Sequence, residues 1–325
     1  MDNSVGIDKQ IMELVRPLTV STITATGCIG CHINLTHFYH HLAIMEKDEK
    51  KTGMTYAEFG KRDEATHYKG FHKKLTINHR KRTEKKRFDK QCTVILQKYD
   101  EESDVMYRQN LKIFYNGVVQ MTGLKSSAQG IWCLVYLISV LKRMKRDDPE
   151  IYDTDPYAPE LRLRPSNFQT QLINSDFKFP FFINRIHLKD IVLHKYGVFC
   201  QYEPIDYPGL KISYIWNKRV PKQERLGLCR CHEKCIMPRG SGLEEGECKR
   251  ITIIVFQSGS IIITGAHDME QIEDAYAFIL KVTRENYDNI YKSYIPSAQK
   301  EKNKDSKKEQ QKMFIPKNYV NDNDP

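Results

Sequence analysis

One stretch of this sequence occurs twice. Residues 251–287 contain two apolar runs joined by Ser258 and Gly259, and an amphipathic pattern follows from about Asp268. This pattern predicts a strand, a tight turn, a second strand and a helix. Residues 111–144 repeat it without a gap, and the matching positions are Phe114 with Phe256, Gly117 with Gly259, Thr122 with Thr264 and Gly123 with Gly265. Two copies predict a molecule of two similar halves rather than a long repeat array.

The residues around both copies resemble a known family. The second copy contains FQSGSIIITGAHDMEQI and is preceded by DFKFPFFI at 176–183 and by YEPIDYPGL at 202–210. The first copy has more diverged counterparts, STITATGC at 21–28 and IFYNGVVQMTGLKS at 113–126. These motifs are similar to the two repeats of the TATA-box-binding protein family, and together they cover most of residues 17–292.

The resemblance implies an α+β fold in which two pseudo-symmetric repeats form one curved antiparallel β saddle, with helices on its convex face. Composition shifts along the chain then divide it into segments. These are an N-terminal extension (1–16), a first repeat (17–144) with a basic insertion (46–90), a linker (145–166), a second repeat (167–295) with a cysteine-containing insertion (217–249), and a lysine-rich tail (296–325) expected to be disordered.

The resemblance also implies a function. Members of this family are a standard example of proteins that lay a β-sheet on the minor groove and kink the DNA strongly. The minor groove offers few hydrogen-bond differences between base pairs, so such a surface selects A·T-rich DNA largely through shape and deformability. We therefore expect a general transcription initiation factor that binds double-stranded A·T-rich promoter DNA and recruits a transcription factor IIB-like protein and RNA polymerase machinery.

Aromatic side chains match the family's apolar wedges, which push between base steps. Phe114 and Phe256 match one wedge of each repeat. Tyr207, followed by Pro208, matches the other wedge of the second repeat, where the family has phenylalanine. Unstacking a base step costs a few kcal/mol, so wedges need large apolar groups. The alternative interpretation is that these aromatic residues belong to an ordinary core.

The sequence departs from the family at several of these positions. In the first repeat the second wedge falls near Gln91, with Phe88 as an alternative. The family asparagine on the first strand of each repeat aligns with Thr19 and Thr170, and Gln169 is retained beside the latter. Because a threonine hydroxyl cannot replace both functions of an amide, the preference for a family-type TATA sequence is in doubt.

Further groove and phosphate contacts are implied by the same alignment. Thr122 and Thr264 match threonines that face the groove. Lys125 matches a lysine that contacts phosphate, but its counterpart in the second repeat is His267. On the protein-binding side, Glu203 matches an acidic residue that contacts transcription factor IIB.

The predicted helix at 127–144 is apolar on nearly every face. In the family the corresponding helix is basic. A helix of this kind is either buried all round or covered by a partner. We expect a protein partner to dock on it around Trp132, with burial against an insertion as the alternative.

Four cysteines lie close together in the second insertion, in the spacing C-x-C-x3-C-x12-C: Cys229, Cys231, Cys235 and Cys248. Four thiolates in a loop too polar to form its own core are typical of a tetrahedral structural zinc site. Loose reduced thiols are the alternative. A bound zinc would hold the loop beside the DNA-facing edge, and no other cofactor is expected.

Composition limits the remaining function classes. The formal net charge of +10 and the pI near 9.0 favour a polyanionic partner, and the segment 69–90 carries much of the excess. That segment is either a solvated, mobile insertion or a basic arm on phosphate. No apolar run is long enough to span a bilayer, and no phosphate loop, metal-protease motif or nucleophile elbow occurs.

We therefore expect a non-enzymatic intracellular protein, located in the nucleus or, given its insertions and composition, in a viral factory or virion. A second hypothesis is a scaffold of the same fold that binds proteins and has lost specific DNA binding. A third, a nucleic-acid enzyme that uses this fold as an appendage, lacks recognisable catalytic residues.

Overall fold

The computed structural model describes residues 14–46, 49–60, 67–70, 91–153, 163–236 and 238–292. Five predictions lie wholly or largely outside these ranges: the N-terminal extension, the basic arm, Phe88, the proline-containing part of the linker, and the C-terminal tail.

The described chain alternates strands with a few helices. The strands are β1 (Arg16–Cys28), β2 (Gly53–Phe59), β3 (His67–Gly70), β4 (Gln91–Asp100), β5 (Val105–Phe114), β6 (Val118–Leu124), β7 (Ser166–Lys178), β8 (Phe182–Ile183), β9 (Cys200–Gln201), β10 (Leu210–Trp216), β11 (Lys249–Val255), β12 (Ser260–Ala266) and β13 (Tyr291–Lys292). The helices are α1 (Leu35–His41), α2 (Ser127–Asp147), α3 (Arg185–Asp190), α4 (Met269–Glu285) and α5 (Tyr287–Ile290). Helix α3 continues as a π-helical turn at Ile191–Lys195, and a short 3-10 turn is formed by Lys222–Glu224.

Eleven of the strands form one sheet, in the order β3-β2-β4-β5-β6-β1-β7-β12-β11-β10-β9, and every pairing in it is antiparallel. The long strands β1 and β7 pair at its centre, where Ile23 lies opposite Ile173. Outward from this pair the two sides are built in the same way, β6-β5-β4 on one side and β12-β11-β10 on the other. The predicted α+β class with an antiparallel sheet is confirmed, while the pseudo-symmetry of the two halves stays a prediction.

Side chains alternate between the two faces of the sheet, and their burial shows which face is covered. In β5 the side chains of Leu111 and Ile113 are fully buried, and in β12 the same is true of Ile261 and Ile263. Their neighbours in sequence point to the other face and are half-buried. The buried set forms one continuous core with the inner faces of α2 and α4. The described long helices therefore cover one face of the sheet and leave the other open.

Both long helices begin with the same reciprocal cap. The Ser126 hydroxyl accepts a hydrogen bond from the Gln129 N–H, and the Gln129 side chain accepts one from the Lys125 N–H. At α4 the Asp268 carboxylate and the Gln271 side chain make the equivalent pair of bonds. Such capping boxes satisfy N–H groups that have no partner inside the helix, which explains why each helix starts directly after the repeated strand-turn-strand unit.

Part of the predicted first insertion belongs to the sheet. Residues 53–59 form β2, which pairs with β4 and buries Met54, Tyr56 and Ala57. The short β3 continues the sheet beyond it. The sheet is thus extended on the side of the first repeat by two strands that were not predicted from the sequence.

Candidate nucleic-acid interface

The uncovered side of the sheet, here called the open face, is lined by half-buried residues of both halves. Cross-strand pairing joins them into rows, because residues directly opposite one another point to the same side. They are Thr93, Asn110, Lys112, Gln120 and Thr122 in the first half, Thr22, Thr24, Leu172 and Asn174 at the centre, and Thr252, Ile254, Ile262 and Thr264 in the second half. The set mixes threonine, amide, aliphatic and lysine side chains, and the exposed Asp176 carboxylate lies on the same face, opposite Ile262.

Phe114 and Phe256 occupy equivalent ends of this face. Each lies at the start of a tight hairpin turn, and its carbonyl oxygen accepts a hydrogen bond from the N–H of the turn glycine, at 3.0 Å from Gly117 and 3.1 Å from Gly259. Both glycines have positive φ, and a Cβ on Gly117 would lie 2.2 Å from the Cys31 carbonyl oxygen. Glycine is therefore required at the turn, and the turn fixes each phenylalanine at the edge of the open face.

Neither phenylalanine belongs to the buried core. Both are half-buried. In the second half, the Tyr207 ring lies edge-on to Phe256, with 6.1 Å between ring centroids, and Pro208 beside it is exposed. Gly209 allows this approach, because a Cβ there would meet both rings. The structure thus brings the two predicted wedge residues of the second repeat, Phe256 and Tyr207, together.

The first half has no equivalent aromatic pair among the described residues. Gln91 lies opposite Phe114 across β4 and β5, and its side-chain amide donates to the Thr93 hydroxyl. Phe88 falls outside the described residues. The two ends of the open face therefore differ, one carrying a pair of rings and the other a ring beside an amide.

At the centre of the sheet, not every residue points to the face that the sequence alignment predicts. Thr19 is exposed and donates to the Asp176 carbonyl at 3.3 Å, and Gln169 is exposed opposite Thr26. Thr170 instead lies opposite the fully buried Ala25, so it points to the helix side. An irregularity in the pairing of β7 shifts the alternation by one residue there, which the sequence pattern does not reveal. The predicted groove contact of Thr170 is wrong in this register.

Two threonines of the repeated TG phrase lie on the open face as predicted. Thr122 pairs with Asn110, and Thr264 lies between Thr252 and Asn174. The Thr264 hydroxyl is hydrogen-bonded to the Asn174 side-chain oxygen. Asn110 and Asn174 were missed in the sequence, because their position on the same row as these threonines depends on strand register.

The cationic positions of the two halves also differ. The Lys125 ammonium donates to the backbone carbonyls of Val20 and Ser21. Its counterpart His267 lies 2.7 Å, Nε2 to Nζ, from Lys249. Burial lowers the pKa of Lys249, and burial together with the Lys249 charge lowers the pKa of His267. Lys249 lies opposite the fully buried Trp216, so it points to the helix side and does not replace Lys125 on the open face.

No family model matches the chain. A curated protein of Acanthamoeba polyphaga mimivirus named "TATA-box-binding protein-like" is 29% identical over 277 residues, which is 84% of this chain and 66% of the relative's length. Among solved structures, Methanococcus jannaschii TBP matches 82% of this chain and 98% of its own at 17% identity, with a TM-score of 0.40 that is too low to establish structural equivalence.

The resemblance predicted from the sequence is confirmed. The chain is similar to a TATA-box-binding-protein-like protein over most of its described length, and it covers slightly less than two thirds of that relative. The viral relative agrees with the predicted viral source, which itself stays a prediction.

The predicted protein-binding residues lie in a loop beside Tyr207 and on α2. Glu203 is exposed, and its carboxylate accepts a hydrogen bond of 2.8 Å from the Gln201 amide. Next to it Ile205 is 99% exposed. The backbone carbonyl of Glu203 accepts from the Tyr207 N–H, so this loop also positions the wedge.

Helix α2 proves to have two kinds of face. One is buried in the core along its whole length. Trp132 is half-buried, stacks on Tyr136 with 5.3 Å between centroids and lies beneath the Lys98 ammonium. Ile131 and Val135 are 45% and 50% exposed. Burial by the described residues therefore accounts for the inner face only, and docking of a partner on the outer face stays a prediction. None of the described helices is long and apolar enough to cross a membrane.

The four predicted cysteines converge in the second insertion. Their sulfur atoms all lie within 4.8 Å of one another, with Cys231–Cys248 at 3.4 Å, Cys229–Cys248 at 3.6 Å and Cys231–Cys235 at 3.9 Å. Zinc–sulfur bonds of about 2.3 Å in a tetrahedron set sulfur–sulfur distances of about 3.8 Å. The donor set and its spacing therefore fit a tetrahedral zinc ion.

Backbone donors around the cluster favour thiolates. The N–H groups of Gly246 and Cys235 point at the sulfurs of Cys231 and Cys229, at 3.3 and 3.5 Å. Burial opposes ionisation of Cys229, but the N–H of Cys235 and further hydrogen bonds outweigh it and lower its pKa to about 7. Burial raises the pKa of Cys248. Outer hydrogen bonds of this kind are common around metal-bound thiolates.

The insertion is held on the helix side of the sheet, not beside a DNA-facing edge as predicted. The Arg225 guanidinium donates to Glu270 and Asp274 of α4, each at 2.7 Å. The same Asp274 carboxylate accepts the indole N–H of Trp216 at 2.8 Å. This buried charge cluster fixes the loop to α4 and leaves the open face uncovered.

We expect Asp274→Ala to lower the free energy of unfolding by about 3 kcal/mol, because it removes one of the two carboxylate partners of the buried Arg225 guanidinium and leaves the Trp216 indole N–H without its acceptor. The Asp274 side chain is 3% exposed and that of Arg225 7%. Urea unfolding measures the loss. Glu273→Ala, at an exposed neighbour on the same helix, is the control, and equal losses in the two variants would contradict a buried network.

Proposed function

We propose that this chain is a TATA-box-binding-protein-like transcription initiation factor, without enzymatic activity, that binds A·T-rich DNA through the minor groove and bends it. The observation that carries the proposal is the open face of the sheet, with Phe114 and Phe256 held by matching glycine turns at its two ends. The confirmed resemblance to a TATA-box-binding-protein-like protein supports it.

The chemistry of the open face suits the minor groove. Its rows of threonine and isoleucine offer methyl-sized contacts and short hydroxyl groups, which fit a narrow groove that displays mainly acceptors. The phenylalanines would insert between base steps, and bending would bring more phosphate against the basic protein. Lys125 supplies a cation beside the repeated strands of the first half.

Recruitment of a transcription factor IIB-like protein is assigned to the loop around Glu203. Its carboxylate and the exposed Ile205 project beside the Tyr207 wedge. A partner that touches this loop would contact the protein where the DNA is kinked. A second partner surface is assigned to α2 at Trp132, Ile131 and Val135, where the exposed aliphatic groups interrupt an otherwise polar helix surface.

We also propose that the four-cysteine cluster holds a structural zinc ion. Zinc would supply no chemistry to a reaction there; bound by four thiolates, it has no open coordination position. Its role would be to stabilise the folded insertion beside α4, to which Arg225 of the insertion is already hydrogen-bonded.

A scaffold that has lost specific DNA binding remains the second candidate, favoured by the exposed apolar residues on α2 and at Ile205. The two are separated by fluorescence transfer between the ends of a short duplex with an A·T-rich core, compared with a G·C-rich duplex of equal length. We expect bending of the A·T-rich duplex alone. Equal binding to both duplexes without bending, falling steeply with salt, would favour the scaffold.

A further inference from the structure

The two halves of the open face differ at one matched pair of positions. In the first half Lys112 lies opposite Gln120, across β5 and β6. In the second half Ile254 lies opposite Ile262, across β11 and β12. The two pairs hold the same place in each repeated strand-turn-strand unit, two residues before the phenylalanine and two residues before the TG threonine.

Side-chain orientation is well defined at all four positions. Each residue alternates with fully buried neighbours, such as Leu111 and Ile113 around Lys112. Each is itself half-buried on the open face. Within the part of the chain that the structure describes, the side chains of Lys112 and Gln120 make no hydrogen bond. Their ammonium and amide groups are therefore available to a ligand lying on this face.

A·T and G·C base pairs differ in one respect that these two pairs of side chains can distinguish. In the minor groove, A·T pairs present only acceptors, whereas G·C pairs add the N2 amino donor of guanine. An isoleucine pair pressed on the groove floor offers that amino group no hydrogen bond, which is costly once water is excluded. The nearby Asp176 carboxylate, opposite Ile262, is already engaged by the Ser21 hydroxyl. The Gln120 carbonyl can accept from it, and the Lys112 ammonium can donate to the adjacent acceptors.

We propose that the two halves read different base compositions: the second half requires A·T pairs, and the first half accepts G·C pairs through Gln120 and Lys112. The DNA site would then be asymmetric, and the protein would bind it in one direction. This inference rests on the proposed minor-groove binding and adds to it the division of the site.

The test uses three duplexes that share flanks and length: one with an all-A·T core, one with G·C pairs in one half of the core, and one with G·C pairs throughout. A fourth duplex replaces guanine by inosine in the half-substituted core, which removes the N2 amino group. Affinity and bending are measured for the wild type, for Lys112→Ile/Gln120→Ile, and for the control Lys142→Ile/Gln223→Ile, whose two sites are exposed away from the open face.

We expect the wild type and the control to bind the all-A·T and half-substituted duplexes within about threefold of each other, and the fully substituted duplex at least about tenfold more weakly, since one base-edge contact is worth about a factor of ten. The double variant should bind the half-substituted duplex about tenfold more weakly than the all-A·T duplex, and inosine should restore its binding.

Two results would overturn the inference while leaving minor-groove binding intact. One is a wild type that loses affinity for the half-substituted duplex as fully as for the G·C duplex. The other is a double variant that binds the half-substituted duplex as tightly as the all-A·T duplex. If the wild type bends none of the duplexes and binds all of them equally, the proposed function fails and this inference fails with it.

Discussion

Replacing Phe114 and Phe256 together by alanine is expected to abolish DNA bending and to weaken binding to an A·T-rich duplex by at least about 100-fold, or about 2.7 kcal/mol. The reason is that unstacking costs a few kcal/mol per base step and is offset only by large apolar groups inserted there. Both rings lie outside the core, so their removal should leave the fold intact. End-to-end fluorescence transfer measures the bend, and a titration on the same duplex measures the affinity.

The control is Leu243→Ala. That leucine is 49% exposed in the second insertion, which is held on the helix side, so its removal should change neither bending nor affinity. Single variants give a further check, because the Phe256 end also carries Tyr207 while the Phe114 end carries Gln91. Phe114→Ala should therefore reduce the bend more than Phe256→Ala. An unchanged bend in the double variant would show that these residues are not wedges.

Much of the fold follows from local sequence signals. The repeated strand-turn-strand unit is set by alternating apolar residues and by glycines at positive φ, and the helix after it is set by a capping box. Each signal depends on residues close together in the chain. For the same reason the hairpin positions of Phe114 and Phe256 could be predicted from the amino-acid sequence alone.

Other parts of the candidate site depend on long-range register. Thr170 turns to the helix side because the pairing of β7 shifts near the centre of the sheet. Asn174 joins Thr264 only through strands that are far apart in sequence. The anchoring of the second insertion by Arg225 likewise depends on α4, which follows it far along the chain. Sequence periodicity predicts which residues of one strand share a face, but it does not predict which strands pair or in what register.

Removal of metal from the cysteine cluster is the second change with a large expected effect. Structural zinc in small domains contributes roughly 10–16 kcal/mol of binding free energy that is coupled to folding. The segment between Asn217 and Cys248 has few buried apolar residues of its own among those described. Cys248→Ser should therefore abolish zinc binding and open the insertion to proteases, while the repeated sheet stays folded.

The measurement combines metal analysis of the purified protein with limited proteolysis and thermal unfolding. We expect about one zinc per chain in the wild type and in Cys28→Ser, a cysteine outside the cluster, and none in Cys248→Ser. A strong chelator should reproduce the protease sensitivity of Cys248→Ser. Because Arg225 holds the insertion to α4 independently of the cysteines, Asp274→Ala and Cys248→Ser together should loosen the loop more than either alone. A metal-free wild type that resists proteolysis as well as the zinc-loaded protein would show that the thiols are not a metal site.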